Sequence, residues 1–195
     1  MQIFLDTADL SAIEERYDTG LIAGVTTNPT LVAKQGVNYL DLIKHIATEF
    51  PEMESISAEV NGNTAAEMID DAAKYREVSE AVTIKLPMTK EGLKACKYFS
   101  EVGVKTNVTL CFSVAQAALA GIAGATYISP FVGRLNDNSF SGVELVRGIA
   151  DLYCNQGIET KVLAASLRDV HHVSRCFLYG AKVCTLPVKV FDKMY

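Results

Sequence analysis

The 195-residue chain predicts an α/β protein in which eight parallel strands close into a (β/α)8 TIM barrel, as one domain over residues 1–195. Three observations carry this reading. Strand-like and helical segments alternate along the chain at steps of roughly twenty to thirty-five residues, with no hairpin signal between consecutive strands. The polar residues near the strand ends share one side-chain parity. In Val82-Thr83-Ile84-Lys85-Leu86-Pro87, a period of two places a lysine near the C-terminal end of a strand, just before a proline that cannot donate to a ladder. An open doubly wound sheet is the other economical arrangement, and the count of eight favours closure.

Gln2 to Asp6 reads as a short strand ending in an acid, followed by a helix from Ser11 to Asp18 with a Ser11/Glu14 capping box. Ile22 to Asn28 turns from apolar to polar and stops at Pro29. Tyr39 to Phe50 then carries Leu40, Ile43, Ala47 and Phe50 at helical spacing. Ile56 to Val60 is a strand bearing Glu59, and the helix after it opens on a Thr64/Glu67 box with Ala65, Met68, Ile69 and Ala72 as its buried stripe. The lysine strand leads to a helix from Thr89 with Leu93, Cys96 and Phe99 on one face. Val104 to Leu110 and the small-residue helix Ser113 to Ala120 form the next unit, and Tyr127 to Phe131 begins another. A polar loop, Gly133 to Ser141, precedes a helix with a Ser141/Glu144 cap and apolar Val143, Val146, Ile149 and Leu152. Lys161 to Ser166 is strand-like, Arg168 to Tyr179 helical with Gly180 as its stop, and Lys182 to Leu186 strand-like before Pro187. The chain reaches Tyr195 soon after, which predicts a short C-terminal end.

Asp6, Thr26 with Asn28, Glu59, Lys85, Asn107 with Thr109, Ser129 with Phe131, and Ser166 can all share one parity, while Leu5, Val25, Ala58, Ile84, Val108, Ile128 and Ala165 hold the other. A barrel explains the division. The apolar parity lies under the outer helices, and the polar parity converges at the C-terminal mouth, where such barrels hold their active sites. Any one of these residues could simply cap its strand. So many strands ending in convergent polar groups make that account poor for the set.

Composition narrows the function. About half the residues are hydrophobic, enough for a substantial core. The net charge of -5 comes from intermixed signs, and no basic run could track a phosphate backbone, so nucleic acid is not an expected partner. With no signal-peptide pattern and no membrane-spanning run, the expected location is the cytoplasm. Five cysteines, odd in number and set among apolar neighbours, read as reduced core thiols. His171 and His172 are adjacent on a helical stretch and lack an H-x-x-x-H partner, so no metal site is expected. The absence of a Walker A sequence and of G-x-G-x-x-G leaves nucleotide cofactors without a motif.

One amine and two carboxylates, Lys85, Glu59 and Asp6, on three strands suit covalent catalysis through a Schiff base. A neutral amine attacks a ketone and loses water, and the resulting iminium accepts electrons while a neighbouring carbon–carbon bond breaks. Carboxylates around the amine supply the proton transfers. A lone strand lysine is read equally well as one that snorkels to water. Asn107, Thr109, Asn28 and Ser129 would orient the hydroxyls of a polyol. Near the same rim lie Arg134, Arg168 and Ser166, and arginine forks together with the free N–H groups of a helix start suit a phosphate. A sugar phosphate is therefore the expected substrate.

The runs Leu5-Asp6-Thr7-Ala8, Gly24-Val25-Thr26-Thr27-Asn28-Pro29-Thr30, Val82-Thr83-Ile84-Lys85-Leu86-Pro87 and Ala164-Ala165-Ser166, in this order and spacing, closely resemble the small transaldolase and fructose-6-phosphate aldolase group over nearly the whole chain. The resemblance implies that Lys85 forms the Schiff base, that Asp6 acts as acid and base on the sugar's C4 hydroxyl, and that Glu59 with Thr109 holds the catalytic water. It implies that Asn28 and Asn107 bind substrate hydroxyls, that Arg134, Ser166 and Arg168 bind phosphate, and that the chain assembles as a homo-oligomer of five or ten subunits. Thr26, Ser129 and Phe131 fall among the substrate-contacting positions. Aldolase members of the group have glutamine where this chain has Glu59 and tyrosine where it has Phe131, so the chain looks like the transaldolase side. A carboxylate exchanges protons with water directly, whereas glutamine only orients it. Two alternatives stay open: an aldolase that releases free dihydroxyacetone, and a barrel that binds sugar phosphates without turnover.

Overall fold

A computed structural model describes residues 1–195, the Lys34 side chain excepted. The strands are β1 (Gln2–Asp6), β2 (Ile22–Thr26), β3 (Ser55–Glu59), β4 (Val82–Pro87), β5 (Thr106–Cys111), β6 (Tyr127–Pro130), β7 (Lys161–Ala164) and β8 (Val183–Leu186). They pair in parallel in sequence order, and β8 returns to β1, so the sheet is a closed (β/α)8 barrel. Around it run α1 (Leu10–Tyr17), α2 (Pro29–Gln35), α3 (Tyr39–Glu49), α4 (Ala65–Arg76), α5 (Lys90–Glu101), α6 (Val114–Ile122), α7 (Val132–Asp137), α8 (Gly142–Gln156), α9 (Val170–Leu178) and α10 (Val188–Phe191), the last followed by a 3-10 turn at Asp192–Met194. No helix among the described residues is long and apolar enough to cross a membrane.

Two layers of side chains divide the work. Leu5, Val25, Ile84, Val108 and Ile128 point outward from the strands and are fully buried beneath the helices. Each such side chain contributes about 1.5–3 kcal/mol by leaving water. The helices answer with stripes at helical spacing, such as Leu42, Ile43 and Ile46 on α3 and Ala95, Cys96 and Phe99 on α5. Four of the five cysteines are buried and Cys154 is exposed, all of them as free thiols.

The inward parity starts apolar and ends polar. Low in the barrel, Phe4, Tyr127, Leu163 and Val183 form a separate apolar floor that Ala165 joins from the cavity side, with the Phe4 and Tyr127 rings edge to face at 5.9 Å. Gly24 makes room for it, because a Cβ there would lie 2.9 Å from the Phe4 ring and 2.5 Å from the Ser55 carbonyl oxygen. Beneath the floor, the Glu54 carboxylate accepts from the Lys161 ammonium at 2.6 Å, the Tyr127 hydroxyl at 2.9 Å and the Gln2 amide. Burial alone would raise this carboxyl, but the bonds from Lys161, Gln2 and Tyr127 together hold it at about 2. The barrel is thus plugged at its N-terminal end, and its polar half opens only at the C-terminal one.

Several sequence expectations change in detail. Asp9, not Ser11, caps α1, its side chain accepting from the Ser11 and Ala12 N–H groups. Pro29 does not merely stop β2: it is the first residue of α2, where its missing N–H is no loss, and Asn28 caps that helix. The polar stretch after Phe131 folds as α7 rather than as a loop throughout. Helix α9 starts at Val170 behind an Asp169 cap, so Arg168 lies before the helix. The parity of the seventh strand also differs. Ala165 faces inward onto the floor, and Ser166 follows it with φ +59, a left-handed residue beyond the strand where the period of two no longer applies. The Thr64/Glu67 capping box forms as the sequence predicts.

Candidate active site

A cavity of about 540 Å³ opens at the C-terminal ends of the strands. Every residue proposed from the sequence lines it except Arg168: Asp6, Thr26, Asn28, Glu59, Lys85, Asn107, Thr109, Ser129, Phe131, Arg134 and Ser166. The lining also includes Thr185 and Leu110, which sequence reasoning passed over.

Lys85 is buried, with a side chain only 9 % exposed. Its register partners are Glu59 on β3 and Asn107 on β5, so three strands bring these side chains together. The ammonium donates to the Thr27 carbonyl at 3.1 Å and stands 3.0 Å from Glu59 Oε2. Glu59 is 30 % exposed at the rim. A buried amine and a solvent-touching carboxylate in direct contact can pass a proton between them without moving backbone.

Asp6 occupies the β1 side. Thr26 donates to Asp6 Oδ1 at 2.8 Å, and Thr185 Oγ1 lies 2.7 Å from Thr26 Oγ1. With the Thr26 proton engaged by the carboxylate, Thr185 donates to Thr26, giving a two-hydroxyl chain from β8 through β2 to β1. Burial raises the Asp6 carboxyl above its ordinary value. The Thr26 bond and the Lys85 charge pull it down by less, and the Glu59 charge adds to the rise. A carboxylate shifted upward is a stronger base, suited to taking a proton from a hydroxyl placed beside it.

The opposite wall is oriented by amide chemistry. Ser129 donates to Asn107 Oδ1 at 2.7 Å while Asn107 Nδ2 donates to Ser57 Oγ at 3.3 Å. Asn28 Oδ1 accepts from the Leu31 N–H at 3.0 Å as the α2 cap, leaving its amide nitrogen for the cavity. Thr109 Oγ1 is buried without a hydrogen-bond partner, an unengaged hydroxyl on a residue that lines the same cavity as Asn107 and Lys85. The next residue, Leu110, takes φ +64 where the β5–β6 register shifts.

At the rim, the Arg134 guanidinium lies over the Phe131 ring at 4.9 Å, and Phe131 meets Phe112 edge to face at 5.9 Å. The Gly133 N–H donates to the Ser166 carbonyl at 3.0 Å, and a Cβ at Gly133 would fall 2.2 Å from that oxygen. Only glycine lets α7 approach Ser166 so closely. Arg168 is held outside the cavity by a two-pronged pair with Asp137. Asp137 lies on α7, in a polar stretch that reads as loop from the sequence, so no sequence signal points to this pairing.

A larger cavity, about 1310 Å³, lies at the other end of the barrel beside α8 and α9. Its buried hydroxyls, on Tyr153 and Thr160, are taken by the Ala117 and Ala125 carbonyls, and it lies on the far side of the apolar floor from Lys85, Glu59 and Asp6. Among the described residues, no three His, Cys, Asp or Glu side chains gather as metal ligands would.

Fold and site together define an α/β barrel with a buried lysine between carboxylates at its C-terminal mouth. Residues 3–195 match the family model described as Transaldolase/Fructose-6-phosphate aldolase, and the chain belongs to that family. It is 50% identical over 199 residues to "Probable transaldolase 2" of Bacillus anthracis, an alignment covering 100% of this chain and 90% of that protein. It is 50% identical over 195 residues to a "Probable transaldolase" of Caulobacter vibrioides (100% and 89% covered) and 48% identical over 195 residues to one of Geobacillus thermodenitrificans (100% and 91% covered).

Proposed function

We propose that the protein is a transaldolase. It moves a dihydroxyacetone unit from sedoheptulose 7-phosphate or fructose 6-phosphate to glyceraldehyde 3-phosphate or erythrose 4-phosphate, without a cofactor, in the pentose phosphate pathway. The observation that carries this reading is the contact of Lys85 Nζ with Glu59 Oε2, with Asp6 across the same cavity. The Lys85 amine, once its proton has passed to Glu59, adds to the C2 carbonyl, and loss of water gives an iminium. Asp6 takes the C4 hydroxyl proton, the C3–C4 bond breaks and its electron pair neutralises the iminium as an enamine. The departing aldose is replaced by an acceptor whose carbonyl oxygen takes the proton from Asp6 as the new bond forms. Glu59 and the unengaged Thr109 hydroxyl hold the water that later hydrolyses the iminium. Thr26, Asn28, Asn107 and Ser129 meet the substrate's hydroxyls, with Phe131 closing one side, and Arg134 and Ser166 meet the phosphate. Arg168 joins them only after leaving Asp137.

The relatives' printed names support transfer over simple cleavage, and so does a carboxylate at position 59. The protein is proposed to work in the cytoplasm as a ring of five or ten copies, for which exposed Leu119, Ile122 and Leu178 supply apolar surface. The test is product formation from fructose 6-phosphate with and without erythrose 4-phosphate, together with borohydride trapping of a covalent adduct. Transfer that needs the acceptor and an adduct lost in Lys85→Ala are expected. Acceptor-independent release of dihydroxyacetone would make the enzyme an aldolase, and undiminished activity in Lys85→Ala would overturn the lysine chemistry.

A further inference from the structure

We propose that Tyr39, at the start of α3, is a positioning residue that sets Lys85 and Glu59 against one another; the inference rests on the lysine chemistry proposed above. The β2–β3 ladder stops one step short of its natural end. Thr27 donates its N–H to the Ser57 carbonyl at 3.3 Å, and the next rung would carry the Glu59 N–H to the Thr27 carbonyl. That rung is split. The Glu59 N–H donates to the Tyr39 hydroxyl oxygen at 2.7 Å, and the Thr27 carbonyl accepts from Lys85 at 3.1 Å.

The proton count leaves one arrangement. Thr27 Oγ1 lies 2.8 Å from the Ser57 carbonyl, which can only accept, so the Thr27 hydroxyl donates there. Tyr39, 2.7 Å from Thr27 Oγ1, must therefore donate its own proton to Thr27 while accepting from Glu59. Thr27 is fully buried, and burial drives the Tyr39 phenol far above its ordinary value, so the donor keeps its proton throughout the working range. One phenol thus replaces a ladder partner and frees a carbonyl for the lysine. Without it, the Glu59 N–H either loses its partner or closes onto the Thr27 carbonyl, drawing the end of β3 toward β2 and sharing with Lys85 an oxygen that otherwise serves the lysine. Both results misplace the pair.

Tyr39→Phe tests this, because the ring still packs on Tyr75 at 5.5 Å. The expected result is a fall in transfer kcat of about tenfold to hundredfold with the fructose 6-phosphate KM within about twofold of wild type. Thr27→Val, which removes the acceptor of the Tyr39 proton, is expected to show the same split, and Thr27→Ser to restore kcat. Adding Tyr39→Phe to Glu59→Gln is expected to lower kcat little further, since a residue acting through Glu59 has little left to position. Wild-type kcat in Tyr39→Phe, or a loss that adds in full to that of Glu59→Gln, would overturn the proposal. If Tyr39→Phe does not fold, the Thr27 variants decide: equal kcat in Thr27→Val and Thr27→Ser would overturn it. Wild-type protein that forms no borohydride-trapped adduct with fructose 6-phosphate would overturn the lysine chemistry instead, a failure read in a separate assay.

Discussion

Lys85 Nζ and Glu59 Oε2 stand 3.0 Å apart across β4 and β3, at positions that are partners in the strand register. The register puts the two residues side by side on neighbouring strands, so both side chains enter the cavity at the same level. Glu59→Gln keeps the shape and removes the proton acceptor, so acceptor-dependent transfer is expected to fall on the order of 10²-fold. Combined with Phe131→Tyr, it is expected to raise cleavage of fructose 6-phosphate relative to transfer. A coupled assay for both products checks this, and unchanged transfer in the double variant would separate Glu59 from the chemistry.

The burial of the Asp6 carboxylate carries a cost in stability. The carboxyl is raised in the fold, so the protonated form is favoured there, and the stability it contributes below the unfolded value is lost as pH rises through the folded one. Asp6→Asn should therefore raise the melting temperature at neutral pH, with the gain vanishing toward pH 4, while kcat falls about 10²–10⁴-fold. In wild type, kcat should decline as acid protonates Asp6. Thermal melts and rates over the same pH series measure both.

Thr185 reaches Asp6 only through Thr26. Thr185→Val removes one hydrogen bond from that chain, and kcat should fall about threefold to tenfold, the kinetic equivalent of a single neutral hydrogen bond. Thr185→Ser should restore it. Steady-state kinetics of the two variants is the check.

The two rim arginines should separate. Arg134 lines the cavity while Arg168 is engaged by Asp137. Arg134→Ala is expected to raise the KM for a phosphorylated donor about tenfold or more, the scale of a charge-assisted pair. Arg168→Ala should move it far less. Comparable shifts would mean that Arg168 leaves Asp137 when substrate binds.

At the barrel floor, Glu54 is held at about 2 by Lys161, Gln2 and Tyr127, against the effect of burial. A depressed carboxyl contributes stability above its unfolded value and loses it as pH falls through the folded one. Wild type should therefore lose stability between about pH 4.5 and 2 more steeply than Glu54→Gln. Denaturant midpoints across that range test it.

Much of the site could be read from the chain because a strand's period of two is local. Lys85, Glu59, Asn107 and Ser129 each follow from counting along one segment, and closure of the sheet brings them to one cavity. Counting fails where the strand ends: a period of two carried past β7 into the left-handed Ser166 puts Ala165 outward, whereas it faces the barrel interior. Thr185 shares its parity with Val183 on the floor and could have been found by the same count. Tyr39 could not, since it sits on a helix and meets Glu59 only because α3 folds over the end of β2.

The sequence by itself determined the alternation of elements, the polar mouth and the lysine among carboxylates, because propensity, periodicity and capping act within a few residues. The tertiary structure alone decided which arginine faces the cavity, which phenol replaces a rung of the ladder, and how two threonines support Asp6. Those contacts join residues 20 to 159 positions apart, and only the closure of β8 onto β1 and the docking of the helices fix their distances.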